Sequence, residues 1–112
     1  MPQSDTPVMS YIWVCSLLGD GDIPKGREIL FALGRRFYHA RGKHPVFAEG
    51  PYHALGEVGK EYQELVHAVE HESEERQRDE SLDLAVTALR NYAQEFKTPQ
   101  AHLVEPPKSA IK

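Results

Sequence analysis

Two stretches of the sequence repeat apolar residues at the period of an α-helix, and a polar segment separates them. The stretch at about 52–72 carries such a stripe at Leu55, Val58, Tyr62, Leu65, Val66 and Val69. The stretch at about 80–96 carries another at Leu82, Ala85, Val86, Leu89, Ala93 and Phe96. Residues 72–79 between them contain no apolar side chain and are mostly charged. The pattern predicts two amphipathic helices that form an antiparallel hairpin, with 72–79 as an exposed turn or as frayed helix ends.

An additional helix is predicted before the hairpin, at about 24–41. Pro24 suits the first turn of a helix, where its missing N–H costs nothing. Apolar residues then recur at helical spacing, at Ile29, Leu30, Leu33, Phe37 and Ala40. Gly50 and Pro51 mark a break before the hairpin. The apolar run Tyr11–Leu18 is too short for periodicity to decide between a strand and a helix.

These elements predict one all-α domain over residues 1–112, with irregular tails at 1–8 and 98–112. A chain of 112 residues has no room for a second independent core. A hairpin is only half of a four-helix bundle and leaves one apolar face uncovered. We therefore expect a homodimer or a homotetramer to complete the bundle core.

The composition excludes several classes of protein. Seventeen acidic and thirteen basic residues leave a net charge of -4, which argues against a nucleic-acid binder. The eight-residue run Tyr11–Leu18 is too short to span a membrane, so no membrane partner is expected. The single cysteine, Cys15, cannot form an intramolecular disulfide, and we expect it to be buried. A cytoplasmic location is the default expectation.

The spacing of the acidic residues is the sequence feature that indicates a chemical function. Glu61 and Glu64 lie three residues apart on one predicted helix, and Glu80 and Asp83 do so on the next, so each pair shares a helix face. An antiparallel hairpin brings the two pairs together near its turn. Four converging carboxylates repel one another unless a cation lies among them, and ligands that are all oxygen suit Mg²⁺, or Mn²⁺. The alternative is that both pairs belong to ordinary solvated acidic faces.

The motif E-x-x-E, followed after a spacer by E-x-x-D, resembles the all-α nucleoside-triphosphate pyrophosphohydrolases, in particular the MazG-like proteins. The resemblance covers about 54–96, and it extends to Leu65, to Ala68 and to Asp79 directly before Glu80. Two positions depart from the family pattern. Lys60 stands where many members have another glutamate, and Gln63 stands where MazG-like members often have glycine. Neither departure removes a ligand, but both leave the subfamily and the substrate open.

The resemblance implies a Mg²⁺-dependent hydrolase that cleaves a nucleotide between its α- and β-phosphates and releases a monophosphate and pyrophosphate. It implies that the catalytic residues and metal ligands are Glu61, Glu64, Glu80 and Asp83. One of these carboxylates, or a metal-bound hydroxide, would activate the attacking water. The resemblance also implies a homo-oligomer.

Phosphate groups also need cationic partners. Arg90 follows Asp83 by two helical turns on the same face, and Lys60 precedes Glu61, so both are candidate phosphate-binding residues. The alternative for each is a surface ion pair with a neighbouring acid. The rival function as a whole is a non-catalytic helical interaction module.

Two histidine patterns offer weaker alternatives. Glu64 and His67 form an E-x-x-H, half of a di-iron motif, but the following helix has no second copy. His67 and His71 lie four residues apart and could share a zinc ion, but no third ligand is evident. Exposed histidines at a helix end are the favoured interpretation.

Overall fold

The computed structural model describes residues 7–97, and within that range it is all-helical apart from turns and one isolated β-bridge. Four helices occur in this range, α1 (Pro7–Leu18), α2 (Ile23–Lys43), α3 (Pro51–His71) and α4 (Glu74–Tyr92). The prediction of an all-α fold is confirmed. The predicted tails, 1–8 and 98–112, lie outside the described residues except at 7 and 8, where α1 has already begun. None of the helices within 7–97 is both long and apolar enough to cross a bilayer.

The chain divides into two compact units between Arg35 and Arg36, a boundary that falls within α2. In the first unit, Tyr11–Leu18 forms part of α1, which settles the choice between strand and helix. Cys15 is buried, as expected, and Gly26 of α2 is buried as well. A Cβ atom on Gly26 would lie 1.6 Å from the carbonyl oxygen of Cys15, so only glycine permits this approach of the two backbones.

The start of α2 agrees with the sequence pattern. The helix begins at Ile23, with Pro24 in its first turn. An oxygen of the Asp22 side chain accepts a hydrogen bond from the backbone N–H of Lys25 at 3.1 Å, which satisfies one of the free donors at the helix start. Gly21 precedes this cap with a φ of 92°, a conformation that glycine adopts without steric cost.

In the second unit, α3 and α4 pack against each other, with Ala68 and Val86 buried. Only two residues, 72 and 73, separate the helices, so a turn over the whole of 72–79 is wrong, and 74–79 belong to the start of α4. The Ser73 side chain caps α4 by accepting from the backbone N–H of Arg76 at 3.2 Å. Glu74 and Glu75 then lie in the first turn, where negative charge is favourable. Helix formation here therefore depends on capping and charge rather than on an apolar stripe.

The predicted end of the last helix, at Phe96, is also wrong. The helix α4 ends at Tyr92, and Gln94 adopts a φ of 56° that redirects the chain. Phe96 then forms an isolated bridge with Ala48 and is buried with Ala48 and Ala54 in one apolar cluster. Its burial outside a helix explains why Phe96 continues the apolar stripe without continuing the helix.

Part of the apolar stripe predicted for α3 is open to solvent. Leu55, Tyr62 and Val69 each expose more than half of their surface, although periodicity assigns them to the interior face. The packing of α3 and α4 on each other therefore leaves apolar surface of α3 uncovered in the chain described here.

Candidate metal centre

Three of the four predicted ligands come together where α3 and α4 pack. Glu61 and Glu64 lie one turn apart on α3, and Glu80 lies on α4. Each offers a carboxylate oxygen, and these three oxygens all lie within 4.8 Å of one another. Glu64 is exposed, Glu61 is partly buried and Glu80 is buried. We call these three residues the carboxylate cluster.

Glu80 is the buried member of the carboxylate cluster, and its two oxygens differ in their partners. The residue is only 5% exposed. Its Oε2 atom accepts a hydrogen bond from the guanidinium of Arg76, whereas Oε1 has no hydrogen-bond partner among the described residues. Leaving a buried polar oxygen without a partner is costly. A proton or a bound cation would remove that cost, so the cluster fits a cationic ligand.

The pKa values of Glu61 and Glu80 are raised, which agrees with an excess of negative charge in the carboxylate cluster. Burial, and then the charge of Glu64, raise the pKa of Glu61 from its ordinary value of 4.5 to about 7. Burial, and then the charge of Asp83, raise the pKa of Glu80. Both shifts arise because desolvation and like charges disfavour the ionised form. The cluster therefore favours the uptake of positive charge near neutral pH.

Asp83, the fourth predicted ligand, lies at the edge of the cluster and has a cationic partner. Its Oδ1 atom accepts a hydrogen bond from Nη1 of Arg36 at 2.5 Å. The same nitrogen donates to the backbone carbonyl of Asp79 at 3.1 Å. Asp83 is not one of the three residues whose oxygens converge, although its charge contributes to the raised pKa values of Glu61 and Glu80.

Arg36 is the residue that sequence reasoning missed. It lies in α2, 47 residues before Asp83, and no local motif connects the two. The only sequence signal is that α2 is a basic helix, with Arg35 and Arg36 adjacent in it. Which of these arginines meets an acid of α4 depends on how the helices are rotated, and the spacing of residues does not contain that information.

Arg90, predicted to bind phosphate, is 2% exposed and fully engaged within its own unit. Its Nε atom donates to Glu95 at 2.8 Å, and Nη2 donates to the backbone carbonyl of His44 at 2.7 Å. The Nη1 atom donates to the carbonyl of Ala40 at 3.4 Å, and the guanidinium lies over the ring of Phe47. These contacts connect Arg90 to the segments before α3 and after α4, and Arg90 also lines a cleft beside the carboxylate cluster. Its role in binding phosphate stays a prediction.

Lys60, the other predicted phosphate-binding residue, remains accessible. Its side chain is 61% exposed, and Nζ lies 3.7 Å from a carboxylate oxygen of Glu57 on the same helix. An exposed pair of this kind contributes little to stability, so the ammonium group is free to exchange partners.

A cleft of about 490 Å³ opens beside the carboxylate cluster, within the second unit. That volume is in the range of small-molecule sites, about 300–1,000 Å³. Acidic and basic side chains face each other across it, among them Glu61, Glu64, Asp83, Arg36, Lys43 and Lys60. Carboxylates for a cation and cations for an anion therefore share one cleft.

The histidine pair on α3 gains no further ligand from the fold. The rings of His67 and His71 lie 4.9 Å apart between centroids, and each lies close to a glutamate, Glu72 and Glu70 respectively. Within residues 7–97, only the carboxylate cluster brings three or more metal-ligating side chains together. The zinc alternative therefore has no third ligand in this part of the chain.

Comparison with protein-family models, with curated proteins and with solved structures found no match for this chain. The resemblance to the MazG-like proteins therefore stays a prediction that depends on the motif residues themselves.

Proposed function

We propose that this protein is a Mg²⁺-dependent nucleotide pyrophosphohydrolase. It would cleave a ribo- or deoxyribonucleoside triphosphate, or a related nucleotide, to the monophosphate and pyrophosphate. The observation that most supports the proposal is Glu80: its buried Oε1 atom lacks a partner within residues 7–97, and its carboxylate lies close to those of Glu61 and Glu64. A purely structural acidic face has no reason to bury such an oxygen.

The donor set fits a hard divalent cation, Mg²⁺ or Mn²⁺. Glu61, Glu64 and Glu80 offer only oxygen atoms, and the described residues place no cysteine or histidine in the group. These three residues would hold the ion, with Asp83 beside them. When bound, the ion neutralises phosphate charge and lowers the pKa of water.

Different residues of the cleft would then bind the phosphate groups and activate the attacking water. Lys43 and Lys60 would hold phosphate oxygens, since both line the cleft. One of the carboxylates beside the cleft would accept the proton of the attacking water. The water oxygen bonds to the α-phosphorus, and the bond from that phosphorus to the α–β bridging oxygen breaks. The electron pair leaves with pyrophosphate.

The proposal is tested by incubating the protein with a panel of nucleoside triphosphates and Mg²⁺ and measuring pyrophosphate and monophosphate. We expect both products from at least one nucleotide, and none from the Glu61→Gln variant. Glu70→Gln is a matched control, because Glu70 also lies on α3 but neither belongs to the carboxylate cluster nor lines the cleft. Release of orthophosphate and a diphosphate would contradict the bond assignment, and full activity in EDTA would contradict metal dependence.

The second candidate is a non-catalytic helical interaction module. One observation favours it: Glu80 and Asp83 already have cationic partners, Arg76 and Arg36, as the acids of a structural face do. Titration with Mn²⁺ separates the two functions, because an ordinary acidic face has no saturable site for the ion.

The same proposal includes a homodimer or homotetramer whose helices complete a four-helix core. The exposed apolar residues of α3, Leu55, Tyr62 and Val69, support it, since a second copy would remove them from water. Sedimentation equilibrium showing a folded 12.7 kDa monomer across micromolar concentrations would contradict it. A cytoplasmic location belongs to the proposal as well, because the single cysteine needs no oxidising compartment.

A further inference from the structure

Arg36 places a permanent positive charge at the edge of the carboxylate cluster. Its Nη1 atom lies 2.5 Å from Oδ1 of Asp83, and its Nη2 atom lies 3.4 Å from Oδ1 of Asp79. The side chain is 28% exposed, so the guanidinium is neither locked in the interior nor fully solvated. Arg90 has no such freedom, because it is almost fully buried.

The pairing of Arg36 explains why Asp83 stands apart from the other predicted ligands. The three oxygens of the carboxylate cluster converge without Asp83, and the buried Oε1 atom of Glu80 has no partner in the described part of the chain. The oxygen of Asp83 is instead held by Arg36. The guanidinium of Arg36 and a divalent cation repel each other when both lie at the Asp83 carboxylate, so binding of an ion by Asp83 weakens its pair with Arg36.

A released Arg36 would still face the substrate. Arg36 lines the same cleft as Lys43 and Lys60 and as two members of the carboxylate cluster, Glu61 and Glu64. A guanidinium binds a phosphate group through two parallel N–H donors, a geometry that an ammonium group cannot provide. Arg36 would therefore have an anionic partner throughout: Asp83 before the ion binds, and a phosphate group of the substrate afterwards.

We propose that Arg36 is a positioning residue: it holds Asp83 in the metal-free protein, and it moves to a phosphate group of the substrate when a divalent cation takes Asp83. This inference rests on the proposed function, and it adds a residue and an order of events to it. Arg36 would thereby couple binding of the cation to binding of the nucleotide.

Calorimetric titration with Mn²⁺ alone, without nucleotide, tests the first half of the inference. The variants are Arg36→Ala and Arg36→Gln, and the matched control is Arg41→Ala. Arg41 lies on the same helix and pairs with Glu95, away from the carboxylate cluster. We expect both Arg36 variants to bind Mn²⁺ about three- to five-fold more tightly than wild type, because the ion no longer displaces a partly exposed ion pair. The control should bind as wild type does.

Steady-state kinetics tests the second half. We expect Arg36→Ala to raise KM for the nucleotide about tenfold while changing kcat less, because a phosphate contact is lost. A residue that only supported the fold would lower the melting temperature and leave Mn²⁺ affinity unchanged. Arg36→Gln keeps a hydrogen-bond donor, and it serves if the alanine variant does not fold.

The possible failures are distinguishable. No saturable Mn²⁺ site in the wild type would overturn the proposed function, and this inference with it. A wild-type site whose affinity is the same or weaker in the folded Arg36 variants would overturn the inference alone. Tighter Mn²⁺ binding without a rise in KM would overturn the transfer of Arg36 to phosphate.

Discussion

The helix α4 buries a charged side chain near each of its ends, and the two differ in how they are paired. Arg90, 2% exposed, donates to the Glu95 carboxylate and to the backbone carbonyls of Ala40 and His44. Glu80 is 5% exposed, and one of its oxygens has no partner within residues 7–97. The two side chains are therefore similarly buried. Arg90 has partners for its donor nitrogens, whereas one oxygen of Glu80 has no partner within residues 7–97.

The difference arises from the neighbours that the fold supplies. Carbonyl groups and one carboxylate surround Arg90, so its positive charge is matched. Two glutamates from α3 surround Glu80, so negative charge is in excess despite the hydrogen bond from Arg76. A fully paired buried charge supports structure, whereas an underpaired one leaves room for a ligand.

The largest loss of stability is expected from removing Arg90, the buried charge that has its partners. Arg90→Ala should lower the free energy of unfolding by about 3 kcal/mol, because Glu95 and the carbonyl groups around it lose a buried partner. Urea denaturation measures the change. The exposed Arg41→Ala, which removes the other cationic partner of Glu95, is the control and should cost less than about 1 kcal/mol. A small loss of stability together with a raised nucleotide KM would contradict a structural role and support Arg90 as a phosphate-binding residue.

The second effect is stabilisation of the folded protein by Mg²⁺ bound at Glu80, the buried charge with an unpartnered oxygen. A free concentration of about one hundred times Kd should stabilise the wild type by about 2.7 kcal/mol, because the ion binds only the folded state. Glu80→Gln should lose most of this gain, since it removes a ligand charge. Thermal unfolding with and without Mg²⁺ measures it, with Glu70→Gln as the control. An equal gain in the wild type and in Glu80→Gln would show that the ion binds elsewhere.

The third effect is the pH dependence of the metal-free protein. The pKa of Glu61 is about 7 in the folded chain and near 4.5 when unfolded, so the folded state binds more protons between these values. Stability should therefore fall as pH rises from 4.5 through 7, by about 1 kcal/mol once solvent screening of this partly exposed group is allowed for. Glu61→Gln should flatten the profile and be the more stable protein at pH 8. Identical profiles would show that Glu61 is an ordinary surface acid.

The smallest effect compares two charge removals within the site. Glu64→Gln relieves repulsion with Glu61 and Glu80 and should raise the metal-free free energy of unfolding by about 0.5–1 kcal/mol. Asp83→Asn relieves the same repulsion but weakens the pair with Arg36, so its net effect should stay within about 0.5 kcal/mol. Chemical denaturation at pH 8 without divalent ions resolves the two. A larger gain from Asp83→Asn would mean that Arg36 does not stabilise Asp83.

The sequence by itself determined the features that depend on neighbours along the chain. Helical periodicity predicted α3, and the three-residue spacing placed Glu61 and Glu64 on one face of it. Pro24 likewise predicted where α2 begins, because the first turn is the part of a helix that tolerates proline.

The tertiary structure decided which side chains meet across helices. The choice of Glu80 over Asp83 as the third member of the carboxylate cluster depends on the rotation of α4 against α3. The pairing of Arg36 with Asp83, and the burial of Arg90 and Phe96, depend on contacts between segments about 45 or more residues apart. Spacing within a helix sets a direction relative to that helix alone, and the register and rotation between helices come from packing the whole core.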